Sequence, residues 1–163
     1  MIFNINLNYL KKKEYVNGEN FLYLGEIYKL KIIVDDKFYV KIKDNFLLAH
    51  VKDKEDITKI KKLIRKWYLT KSLIYFKEQT EKYALANNLA VHSVKVRNYK
   101  ARWGSCSTNG DISFNWKLIM APPWIIQYVI IHELIHIKEH NHSTKYWEHV
   151  RSIYPNIKDA KEW

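Results

Sequence analysis

The chain has 163 residues, 47% of them apolar and 15% aromatic, which suits one globular domain with its own core and excludes a disordered or fibrous chain. Its 28 Lys and Arg outnumber 17 Asp and Glu for a net charge of +11, read first as a solvated lysine-rich surface and second as a face for a polyanion or acidic substrate. Cys106 is the one cysteine, which excludes an internal disulfide or a cysteine-built metal site and leads us to expect a reducing, cytoplasmic setting.

The first residues carry lysines after a short, asparagine-interrupted apolar stretch, so they do not read as a signal peptide. No apolar run approaches the roughly 20 residues of a membrane span, and a soluble protein is expected. Up to residue 50 the pattern is of short strands, IFNINL, NFLYLG, YKLKIIV, KFYVKIK and FLLAHV, punctuated by Gly18, Gly25, Asp35 with Asp36, and Asp44 with Asn45. This predicts a small antiparallel meander, taken as an N-terminal lobe over residues 1–55. From Asp56, a candidate cap, Ile57, Ile60, Ile64 and Trp67 repeat at helical spacing. Leu73, Phe76, Thr80 and Tyr83 extend the helical pattern to about Asn88, and whether Thr70 or Ser72 breaks it stays open.

Residues 92–107 read as strand, STNGD as a turn, and ISFNWKLI as the second strand of a β-hairpin. Pro122 and Pro123 then open a helix expected to reach Glu139, and Ser143 caps another that Pro155 ends. Strands, helices, hairpin and helices in that order predict an α+β fold, with residues 56–163 forming the second and larger part.

The segment HELIH places His132 and His136 four residues apart, on one face of a helix, with Glu133 on the adjoining flank. Two imidazoles so placed can share a metal ion, and the carboxylate is placed to serve a water in front of it. The surrounding residues, Ile125 to Ile137, are apolar nearly all round, so the helix is buried. Two histidines and a carboxylate buried there without partners would cost several kcal/mol, about 2–7 for each polar group, and a cation removes that objection. For a third ligand there are three candidates. His140 lies about 12 Å of helical rise from His132, and Glu148 falls closer to HELIH than a glutamate-type site usually allows. His142 is preferred, because a chain that turns near Asn141 returns it to the other two, and the spacing HExxHxxxxxH matches the third histidine of metzincins. Glu139 stands where those enzymes have glycine.

RWGSCS at 102–107, NWKLI at 115–119, AP at 121–122, YVIIHELIH and NHSTKYW together resemble the YgjP-like metallopeptidase family over about residues 60–163. The resemblance implies a zincin-like fold related to SprT-type and WLM-type peptidases, zinc on His132, His136 and His142, Glu133 as the catalytic glutamate, and a peptide or protein substrate. By similarity to zincins, one hairpin strand should pair with extended substrate, with residues 112–117 as the candidate. Arg102, Trp103 and Cys106 belong to the resemblance, as packing or substrate residues. Arg102, Tyr146, His149 and Tyr154 are candidates for stabilising an oxyanion.

Two rival functions stay open. One is hydrolysis of a non-peptide amide or ester at the same site. The other is a nucleic-acid-associated protein with a structural zinc. Lys59, Lys61, Lys62, Arg65, Lys66, Lys71 and Lys77 fall in an acid-free stretch, and Lys95, Arg97, Lys100 and Arg102 in a second, so nucleic acid is a candidate partner.

Overall fold

The structure is a computed structural model and describes residues 12–163. The first expected strand, residues 2–7, lies outside them. The chain is a mixed α+β protein with two small mixed sheets and four α-helices among the described residues. Strands β1 (Asn20–Tyr23), β2 (Glu26–Val34), β3 (Tyr39–Lys43) and β4 (Phe46–Val51) form the first sheet. Leu24 and Gly25, at φ 51° and 81°, join β1 to β2 in the two-residue turn whose twist suits paired strands. Gly25 is also required by contact, since a Cβ there would lie 2.9 Å from Pro122 Cα.

The expected antiparallel meander is corrected. The order is β1-β2-β4-β3, with β4 between its neighbours and parallel to β2, so that Leu30 faces Leu47 and Ile32 faces Ala49. Burial explains the order. β4 is buried continuously from Leu47 to Val51, whereas β3 alternates half-buried and exposed residues; a strand apolar on both faces belongs inside a sheet and an alternating one at its edge.

Helix α1 (Ile57–Ala86) is one rod of 30 residues. Asp56 caps it as expected, accepting from Lys59 N at 3.0 Å. Buried Ile60, Ile64, Tyr68, Ser72, Phe76, Thr80 and Ala84 repeat every four residues, a stripe that small polar residues continue rather than interrupt. Ser72 Oγ lies 2.6 Å from Tyr68 O and 3.0 Å from Trp116 O, so its hydroxyl has a buried acceptor. The rod ends where Asn88 turns left-handed and Leu89 N returns to Ala84 O at 2.9 Å.

Strands β5 (Ser93–Arg97), β6 (Gly104–Cys106) and β7 (Asp111–Asn115) form the second sheet, ordered β5-β7-β6. The β6–β7 hairpin forms as expected, its turn closed by Gly110 N to Ser107 O at 3.1 Å. Two expectations fail on either side of it. Residues 98–103 interrupt the strand expected over 92–107, and the last strand stops at Asn115, whose side chain accepts from Lys117 N and starts a 3-10 helix over Trp116–Met120.

Helices α2 (Pro123–Ile135), α3 (Thr144–Ile153) and the unanticipated α4 (Ile157–Glu162) complete the chain. Ser143 caps α3 through Tyr146 N at 3.3 Å. One apolar core runs from Phe21, Leu30 and Leu47 through α1 to Ile126, Tyr128 and Ile130 of α2. Among the described residues, no helix is long and apolar enough to cross a membrane.

Candidate metal centre

Every residue of α2 from Ile125 to Ile135 is buried except Gln127, as the apolar pattern requires. His132 and Glu133 therefore sit in low-dielectric surroundings. The helix ends at Ile135, four residues sooner than expected, and tightens through Ile137 N to Leu134 O at 3.1 Å and Lys138 N to Ile135 O at 3.0 Å. This early end brings the following loop back over the helix. Asn141 is not among the residues at positive φ; the reversal comes from the tightened last turn. Glu139 holds the loop at both ends. Its carbonyl oxygen lies 3.0 Å from His136 Nδ1, and its carboxylate lies 2.9 Å from Lys145 Nζ of α3.

The result is a triangle of imidazoles. His142 Nε2 lies 3.2 Å from both His132 Nε2 and His136 Nε2, and among the described residues these three form the group that could hold a metal ion. His136 Nδ1 donates to a carbonyl, which leaves Nε2 of that ring bare. Burial lowers the His132 pKa to about 3, with His136 and His142 adding to it, and burial also lowers the other two. Neutral rings with lone pairs crowded this closely repel unless a cation lies between them. A tetrahedral ion with bonds of about 2.1 Å would hold its nitrogens about 3.4 Å apart, so the donor set fits. His140 and Glu148 stand outside the group.

Aromatic rings fix the imidazoles. Tyr146 stacks on His136 at 4.7 Å, meets the edges of His132 and His142, and donates its hydroxyl to His132 O at 2.9 Å. Trp147 stacks on His142 at 5.8 Å and lies beneath Lys161 Nζ at 3.7 Å. His132 Nδ1 is buried and meets no hydrogen-bond partner among the described residues, so packing orients that ring.

Glu133 lines the same cleft, a space of about 390 Å³, with Arg102, Ser105, Cys106, His140 and the three histidines. Burial pushes its pKa up to about 7, against a lowering influence from Arg102. Gly104 presses directly on it: a Cβ there would lie 2.7 Å from Glu133 Cγ and Oε1. That contact gives the glycine of RWGSCS a physical reason.

The remaining sequence candidates separate clearly. Tyr146 and Tyr154 spend their hydroxyls on the carbonyls of His132 and Trp124, and His149 lies beside Glu139 away from the cleft. Arg102 is in the cleft, its guanidinium 5.2 Å from the Tyr99 ring. Trp103 packs against the core, and Cys106 is a half-buried thiol whose pKa burial and Glu133 push up to about 11. The expectation that residues 112–117 pair with substrate fails, because β7 is hydrogen-bonded on both sides and residues 116–117 belong to the 3-10 helix; the edge beside the cleft is β6. Asn115 was missed as a site residue. Its side-chain amide donates to Tyr99 O and Arg102 O, which fixes the loop carrying Arg102, and only its place within NWKLI could have drawn notice.

A family model described as YgjP-like, metallopeptidase domain, matches residues 3–163. Among solved structures the chain is similar to the metallopeptidase zymogen abylysin of Pyrococcus abyssi, at 24% identity and TM-score 0.48 over 53% of this chain and 86% of that one. It is also similar to the zymogen jannalysin of Methanocaldococcus jannaschii, at 20% identity and TM-score 0.47 over 52% and 88%. No curated protein matches the chain.

Proposed function

The chain belongs to the YgjP-like metallopeptidase family, and from that premise we propose that it is a zinc-dependent, zincin-like peptidase with ligands His132, His136 and His142 and general base Glu133. The observation that carries this reading is the meeting of three neutral imidazoles, with His142 Nε2 3.2 Å from Nε2 of each of the other two, beside a buried carboxylate. Zinc held there would supply a Lewis acid that acidifies water and polarises a carbonyl.

The rest of the work falls to the chain's own groups. The Glu133 carboxylate, with a pKa near the working pH, takes a proton from water in the cleft and returns it to the leaving amine. Arg102 faces the same cleft and offers charge to the substrate carbonyl oxygen as negative charge develops there. Substrate lies extended along the free edge of β6, which pairs with β7 on its other side. A peptide backbone suits that edge better than a compact small molecule does. The single cysteine supports a cytoplasmic setting.

Glu133→Gln tests the reading, since glutamine keeps the shape and cannot accept the proton. Bound zinc and unfolding temperature should stay near those of the parent, while cleavage of a quenched-fluorescence peptide library falls by about 100-fold or more. Undiminished cleavage removes Glu133 from the chemistry, and loss of zinc together with activity makes it a structural residue.

A further inference from the structure

A second cavity, about 280 Å³, opens on the molecule outside the metal cleft, between α1, the start of the described chain and the 3-10 helix. Its walls are of two kinds. Tyr15 and Trp116 contribute partly exposed rings, Trp116 backed by buried Tyr68 at 5.8 Å. Besides Lys13, whose ammonium donates to Asn20 O at 2.7 Å, Lys61, Arg65 and Lys117 contribute three cations, Lys61 and Arg65 one turn apart on the exposed face of α1.

None of those three cations has an ion-pair partner among the described residues, and no acidic side chain lines the cavity. Glu19, the carboxylate that acts on Tyr15, directs its oxygens to the amides of Glu14 and Tyr15. Asn98 accepts from the Trp116 indole N–H at 3.2 Å, which fixes that ring and leaves the Asn98 amide N–H₂ as a donor at the rim. Lys117 Nζ lies 6.0 Å from the Trp116 ring centroid, and aromatic faces beside cations free of carboxylates match a flat base joined to phosphate. The basic surface also continues past the cavity along α1 through exposed Lys62 and Lys66. A lone nucleotide has no use for that extension, whereas a strand with further phosphates does.

We propose that this cavity is a binding site for single-stranded nucleic acid, one base resting on Trp116 and Tyr15 and adjoining phosphates on Lys61, Arg65 and Lys117. The site is separate from the metal cleft and does not depend on the peptidase reading.

The experiment is fluorescence anisotropy of the full chain with a labelled oligothymidylate of about 10 nucleotides across a salt series. Three phosphate contacts predict a slope of about −2 in log affinity against log salt. The double variant Lys61→Gln with Arg65→Gln, exposed on α1 and harmless to folding, should bind about tenfold or more weakly with a shallower slope. Lys37→Gln with Lys158→Gln, equal in charge and outside the cavity, should bind as the parent does. Trp116→Leu should weaken the oligothymidylate but not heparin, which has charge without bases.

Absence of binding at low salt overturns the proposal, as does equal weakening by the two charge pairs. Should Trp116→Leu fold and bind the oligothymidylate unchanged, the aromatic wall takes no part and the proposal fails. Thymidine monophosphate binding as tightly as the oligomer would assign the cavity to a free nucleotide and overturn the strand.

Discussion

Gly104 and Cys106 stand two residues apart in β6: Gly104 leaves room for the Glu133 side chain, and Cys106 has its pKa raised by burial and then by that carboxylate. Because a Cβ at 104 would sit 2.7 Å from the Glu133 side chain, Gly104→Ala must push the carboxylate aside. A displacement near 1 Å costs about 100-fold in rate. The expected result is that loss in kcat with zinc stoichiometry unchanged, measured by peptide turnover and elemental analysis. Cys106 receives the opposite test, of inertness. A thiol whose pKa is raised to about 11 stays protonated until the pH approaches that value, so its nucleophilic thiolate is scarce at pH 8. Iodoacetamide should alkylate the zinc-free protein at pH 8 at least about 100-fold more slowly than a free thiol, and reaction at the free-thiol rate would contradict that placement. At this scale the sequence was readable where chemistry names its own residues. HELIH with His142 marked out the three histidines that meet, but nothing local announced that Gly104 would press on Glu133 or that Asn115 would fix the Arg102 loop, because both contacts join distant segments.

Elements were readable in type more than in arrangement. The repeat of apolar residues gave α1 and α2, and the turn residues gave the β6–β7 hairpin, since each depends on neighbours in sequence. The order of the first sheet depends instead on which strand is buried on both faces, a property of its partners. The loop between α2 and α3 shows the same limit: the return of His142 was foreseen, but the helix that delivers it ends at Ile135. Because His140 stands outside the imidazole triangle, His142→Ala should lower zinc affinity by more than about 100-fold while His140→Ala changes it little. The comparison is against residues that merely orient a ligand, which cost about 10- to 100-fold. Competition with a chromophoric chelator measures both, and a reversed order would reassign the third ligand.

For the whole molecule, a metal held by the three histidines would join the end of α2 to the loop entering α3, so zinc bound to the folded state should stabilise all of it. At free zinc a hundredfold above Kd the linkage is worth about 2.7 kcal/mol, or about 5–10 °C in Tm for a chain of this size. Thermal melts across a zinc titration should show that rise, and a Tm indifferent to zinc would deny the ion a place in the folded core. The β1–β2 turn carries a different consequence. Leu24 N and Gly25 N donate to Ile119 O and Met120 O, the last two carbonyls of the 3-10 helix that precedes α2, and Tyr68 OH of α1 donates to Leu22 O, so the N-terminal sheet is tied to the segment that leads into α2. We therefore propose that the two parts are one folding unit. Cutting the chain near Asp56 to obtain a minimal peptidase would strip those carbonyls of their partners at the foot of α2, and an engineer seeking a smaller enzyme would do better to trim elsewhere.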